Sequence, residues 1–217
     1  MNTNNLIDNT IRFVKETLKD AEGGHDWWHI YRVWKSALSI NKVEKANNLV
    51  VQLGALLHDI ADSKFHRGDE TIGPTLARKF LENQKVEEST IVQVIDIIEN
   101  ISFRGGFNKD KKKSLELQVV QDADRLDAIG AIGIARAFNY GGFKNRVMHN
   151  PSIKPATYNN KETYKKNTAP TINHFYEKLL LLKDQMNTNA GKKMASQRHQ
   201  FMELYLKQFY LEWEGGY

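Results

Sequence analysis

The sequence predicts an all-α protein folded as one domain over residues 1–217. Three observations carry this. Apolar residues recur with helical spacing along most of the chain, while alternating strand patterns are scarce. Only four prolines interrupt it. No repeat, low-complexity tract or compositional break marks a domain boundary. Hydrophobic residues make up 41% of the 217, enough for a full core.

The elements follow in order. Leu6, Ile7, Ile11, Val14 and Leu18 share one face of a helix over 5–18. Asp26 reads as the N-cap of a helix running through Ile40, whose apolar positions include Trp27, Ile30, Val33, Trp34, Ala37 and Leu38. A helix over 46–61 carries the run VVQLGALLHDIA, apolar all round and therefore buried. Amphipathic helices are expected over 69–83 and 87–101, the second with Ile91, Val94, Ile95, Ile98 and Ile101. Residues 115–122 lead into a helix over 124–140, where Gly130 and Gly133 in AIGAIGIARAF permit close packing. Helices over 171–186 and 192–213 complete the chain. Two loops interrupt the pattern. FRGGFNKDKKK (103–113) sets Arg104 and four lysines against Asp110 alone. Residues 141–168 set Lys144, Arg146, Lys154, Lys161, Lys165 and Lys166 against Glu162 alone. A loop that long is usually functional or mobile, and both suit phosphate.

Composition narrows the chemistry. There is no cysteine, which removes disulfides, thiolate ligands and cysteine nucleophiles together. No apolar run reaches the roughly 18 residues of a membrane span, and the N-terminus has no signal-peptide pattern, so the expected location is the cytoplasm. The net charge of +5 suits an anionic small molecule or a nucleic acid, although solubility alone accounts for such a value.

The most informative residues are His58 and Asp59, an imidazole and a carboxylate ending an apolar helix. Burying both is costly without a partner, and a divalent cation satisfies both at once. His29, in GHDWWHIYRV, and Asp124, in VVQDADRLDAIG, supply further ligands from other helices. Two imidazoles and two carboxylates suit Mn²⁺, Fe²⁺, Zn²⁺, Co²⁺ or Ni²⁺, with Mg²⁺ also admitted and Mn²⁺ favoured. Four protein ligands leave coordination positions open for water and substrate. Taken singly, each residue has a plainer use: a lone histidine on an apolar helix is more often a hydrogen-bonded core residue, and a lone aspartate a cap. The order and helical context of the set argue for a site. Alternatives stay open within it. His25 lies four residues before His29, but an Asp26 N-cap leaves His25 outside the helix, where it contacts substrate or the helix entry. DADRLD offers Asp122, Asp124 and Asp127. Asp127 falls on the face of Asp124 and would orient a ligand or a water from behind; Asp122 would cap the helix.

These motifs resemble the HD superfamily of metal-dependent phosphohydrolases, in particular its small stand-alone bacterial branch. That pattern is a His, then an HD pair, then a distant Asp in an AD-x-L context, here His29, His58-Asp59 and Asp124 of ADRL. The core motifs span 25–127, and the resemblance extends to the C-terminal helices over 171–214. It implies an all-helical HD-domain fold, with one divalent cation between core helices. It favours Asp124 over its neighbours. It implies hydrolysis of a phosphate ester or phosphoanhydride, most readily of a nucleotide, without naming the substrate. Asp62, one turn after Asp59, matches an acid that other branches use near the attacking water, and here would accept a proton or orient the water; a C-terminal carboxylate paired with Lys64 or Arg67 is the plainer reading. Lys64 falls where the family carries a lysine and would hold a phosphate oxygen. Arg104 beside two glycines, and Lys144 with Arg146 after YGGF, would bind phosphate with help from backbone N–H groups. Trp27, Trp28, Phe103, Phe107, Tyr140 and Phe143 are placed to stack a base, although Trp27 reads better as core.

The rival reading is a sensor that keeps the metal and a nucleotide pocket but turns over slowly or not at all. A nucleic-acid phosphodiesterase ranks lower, since the lysines lack a regular aromatic platform. The expected partner is a phosphorylated small molecule and not a membrane. The chain would act as a monomer or as a homodimer through its amphipathic C-terminal helix.

Overall fold

The computed structural model describes residues 3–19, 26–61, 69, 71–101, 113–157 and 168–216. All regular structure among them is helical, and none of their helices is long and apolar enough to cross a membrane. The chain divides into two compact units, Met1–Asp124 and Arg125–Tyr217.

The first unit is organised around α3 (Asn48–Leu57), against which α1 (Thr3–Thr17), α2 (Trp27–Glu44) and α5 (Glu88–Asn100) pack. Every one of Val50, Val51, Leu53, Ala55, Leu56 and Leu57 is fully buried, as expected of a helix apolar on all sides. Asn47 caps it, its side chain accepting from the backbone N–H groups of Leu49 and Val50. Gly54 lets α5 approach, since a Cβ there would lie 2.8 Å from Ile97 Cδ1. Helix α4 (Ile72–Asn83) packs on α5. Helix α6 (Leu115–Asp127) begins in this unit, and its Glu116 carboxylate accepts from the Asn47 N–H at 2.9 Å.

Helix α6 departs from the sequence expectation. It runs unbroken through Asp122 and Asp124, and the break comes at 128–129. The cause is Gly130, whose φ of +76° is open to glycine at little cost. Apolar periodicity does not register a backbone angle, so it places the break about a turn and a half early.

In the second unit, α7 (Gly130–Phe143) packs on α8 (Thr171–Glu177) and α9 (Asn189–Trp213). A single helix expected over 171–186 is instead α8 followed by a 3₁₀ segment, Leu179–Gln185. Three residues per turn bring Leu179 and Leu182 to one buried side and leave Leu181 outside. Rings of Phe138, Phe175, Tyr205 and Phe209 pack together, with neighbouring centroids 6.1–6.3 Å apart. Thr188 caps α9 by accepting from the Gly191 N–H at 2.9 Å.

His174, on α8, gives this unit a pH dependence. Burial first, and then the charges of Lys178 and Arg146, push its pKa down to about 4. The unfolded chain therefore takes up a proton below about pH 6.5 that the folded chain refuses, and stability falls with pH between about 6.5 and 4. At one proton the loss is of order 3 kcal/mol. Urea unfolding across this range should show it, and His174→Gln should flatten the profile. An unchanged profile in that variant would remove His174 as its origin.

Candidate metal centre

Asp26 ends the connection before α2 with its carboxylate accepting from the His29 backbone N–H at 2.9 Å, which fixes the first turn of α2. His29 is then the first of the buried positions of α2, with Ile30, Val33, Ala37 and Ile40. At the other side, α3 stops at Leu57, short of the expected Ala61, and His58 takes the C-cap position. The reason is local. His58 Nδ1 lies 2.9 Å from the Ala55 carbonyl, so the ring supplies a donor to a carbonyl at the helix end. A carbonyl only accepts, so Nδ1 of the neutral ring carries the proton and Nε2 keeps its lone pair.

That lone pair faces His29. The two Nε2 atoms are 3.3 Å apart, and the rings meet edge-on at 63°. Asp124, in the third turn of α6, brings Oδ1 to 3.5 Å from His29 Nε2 and 3.8 Å from His58 Nε2. Asp59 joins them: His29, His58 and Asp59 each offer a ligand atom, all within 4.8 Å of one another. Both histidines are buried. Burial, ahead of the opposing pull of Asp124, lowers the His58 pKa, which favours the neutral ring that a cation needs.

The donor set fits a cation. A point equidistant from His29 Nε2, His58 Nε2 and Asp124 Oδ1 lies about 2 Å from each, the length of a bond from a divalent transition metal to nitrogen or oxygen. Two carboxylates would balance its charge. Two imidazole nitrogens 3.3 Å apart, with a carboxylate oxygen within 3.8 Å of both, are donors that such an ion takes.

Asp122 is fully buried in mid-helix, so it caps nothing. Asp127 is buried and ion-paired through Oδ2 with Arg136 of α7, which also donates to the Asp127 carbonyl at 3.2 Å. Lys144 and Arg146 belong to the second unit. Lys144 Nζ lies 4.7 Å from the Phe143 ring centre and 5.7 Å from that of Tyr140, and the Arg146 guanidinium is 5.7 Å from Tyr140. Trp27 is half-buried under Lys15, 4.8 Å from its ring centre, whereas Trp28 is exposed. His25, Asp62, Lys64, Arg104, Phe103 and Phe107 lie outside the described residues. The sequence reading missed Gln121, one turn before Asp124. Its side chain donates to the Ile101 carbonyl at 3.0 Å and accepts from Lys113 Nζ at 2.8 Å, tying both flanks of 102–112 to the helix of Asp124. A buried amide in the apolar turn VVQDA was the available signal.

Residues 27–129 match the HD domain family. An HD-superfamily hydrolase from Bacillus thuringiensis is 44% identical, with a TM-score of 0.80 over 98% of both chains. The chain belongs to the HD superfamily. Bacillus subtilis YpgQ is 37% identical to this HD protein over 199 residues, covering 90% of this chain and 88% of YpgQ. A crystal structure of YpgQ in complex with ADP aligns with a TM-score of 0.72, over 96% of this chain and 95% of that one. A predicted HD-superfamily hydrolase from an uncultured Thermotogales bacterium, 26% identical, aligns with a TM-score of 0.65 over 98% and 99% of the two chains. The matched residues 27–129 include His29, His58, Asp59 and Asp124.

Proposed function

We propose that this HD protein is a metal-dependent phosphohydrolase acting on a nucleotide, holding one divalent cation through His29, His58, Asp59 and Asp124. The observation that carries the reading is the convergence of two buried imidazole nitrogens and the Asp124 carboxylate within 3.8 Å, with Asp59 alongside. The ADP bound to the related YpgQ supports a nucleotide as the ligand class. A bound cation lowers the pKa of a coordinated water and polarises a phosphoryl oxygen. The chain's own residues do the rest. Asp62 accepts the proton of the attacking water. Lys64 and Arg104 neutralise charge on the phosphate oxygens, and His25 contacts the substrate at the entry to α2.

The test is a screen of nucleoside mono-, di- and triphosphates for released phosphate or pyrophosphate, using protein purified with Mn²⁺. At least one should be turned over, with activity lost in EDTA and restored by Mn²⁺. Turnover that survives EDTA would overturn the metal-dependent reading. Tight ADP binding with no turnover of any nucleotide would make the protein a sensor instead.

A further inference from the structure

A second cationic feature lies at the far end of α2. A cleft of about 540 Å³ opens where α2 turns into α3, a volume within the ordinary range for small-ligand sites. Lys35, Lys42 and Lys45 line it together with Ser39, Asn41 and Asn48, and its lining contains no carboxylate. Among the described residues no acid pairs with any of the three ammonium groups. Lys35 instead rests against the rings of Trp34 and Tyr31, at 4.7 and 5.5 Å from their centres.

Asn41 supplies the second observation. It is only 6% exposed, yet its Oδ1 is buried and has no hydrogen-bond donor among the described residues. The amide cannot simply be turned round, because its Nδ2 donates to the Ala46 carbonyl at 3.2 Å. A buried acceptor without a donor is costly and calls for one. Lys45 also holds a left-handed backbone at φ 61°, where glycine would sit without strain.

We propose that this cleft is a phosphate-binding site separate from the metal centre, taking a small phosphorylated ligand. The three lysines neutralise the phosphate groups, and Asn41 lines the cleft beside them. His29 and Asn41 are 12 residues apart on α2, roughly 18 Å along the helix axis. One ligand of nucleotide size therefore does not engage both places by the same group.

The experiment is a titration of the full-length protein, in EDTA and about 0.15 M salt, followed by ¹⁵N–¹H correlation spectra; exposed charges are well screened under these conditions. The probe is inorganic pyrophosphate, followed by ADP. The Asn41 side-chain amide and the Lys45 backbone amide should shift and saturate. A Lys42→Ala/Lys45→Gly double variant should weaken binding at least tenfold, read on the Asn41 amide. Lys45→Gly relieves the left-handed strain, so misfolding would not explain the loss. His58→Ala should leave the titration unchanged. Tighter binding of ADP than of pyrophosphate would support a site that also contacts the nucleoside, and equal binding would support a site for phosphate groups alone. Resonances that stay still at about 10 mM pyrophosphate, or an affinity unaltered in the double variant, would overturn the proposal.

Discussion

His58→Ala is expected to abolish both metal binding and hydrolysis. The substitution removes the Nε2 that lies 3.3 Å from its His29 counterpart and 3.8 Å from Asp124. Even a partner that merely orients a ligand is worth 10–100-fold in metal affinity, so loss of a ligand should exceed about a hundredfold. A second effect accompanies it. The Ala55 carbonyl loses the imidazole donor at the end of α3, which should cost about 1–3 kcal/mol in stability. The two effects separate experimentally. Circular dichroism reports whether the helices persist, and elemental analysis reports the metal carried by protein that remains folded. A folded His58→Ala protein with wild-type metal content would mean that His58 is a core histidine and no ligand.

The second large effect is on the fold. Gly133→Ala should destabilise the protein by about 3 kcal/mol or more, lowering the melting temperature by roughly 6–12 °C. A Cβ on Gly133 would lie 2.2 Å from the Ala128 carbonyl oxygen and 2.5 Å from its carbon. The obstacle is backbone, so no side-chain rotation relieves it, and the turn between α6 and α7 must shift. Gly130 in the same turn is already committed to φ +76°. Gly142→Ala is the matched control on the same helix. A Cβ there meets nothing within 4 Å, and alanine has the better helix propensity, so stability should hold or rise by up to about 1 kcal/mol. Calorimetry of the two variants should show changes of opposite sign. Equal small losses would mean that the α6–α7 turn is plastic.

These glycines also show where sequence reasoning reached its limit. Close packing was inferred for Gly130 and Gly133 from their small size. Gly130 does pack closely, since a Cβ there would lie 3.0 Å from Arg198 Cβ on α9, but it is also required by a backbone angle, and Gly133 by a carbonyl one turn away, neither of which periodicity encodes. The same limit explains the missed break at 128–129 and the 3₁₀ segment, where leucines three apart satisfy helical and 3₁₀ spacing alike. By contrast, the start of α2 was legible because an aspartate before an apolar helix has a specific job, accepting the His29 N–H. The site was legible in its ligand types, since a histidine and an aspartate ending an apolar helix are hard to explain singly. Its geometry was not. That α3 stops at Leu57, with the His58 ring turned onto Ala55, depends on one hydrogen bond three residues back.

The proposed function requires one cation held by His29, His58, Asp59 and Asp124. The most direct measurement is anomalous diffraction from crystals grown with Mn²⁺, recorded near the manganese absorption edge. A single strong peak is expected among His29 Nε2, His58 Nε2 and the carboxylates of Asp59 and Asp124, about 2 Å from each nitrogen. Manganese-loaded crystals with no anomalous density at that point, the two imidazoles still sharing only a hydrogen bond, would contradict it.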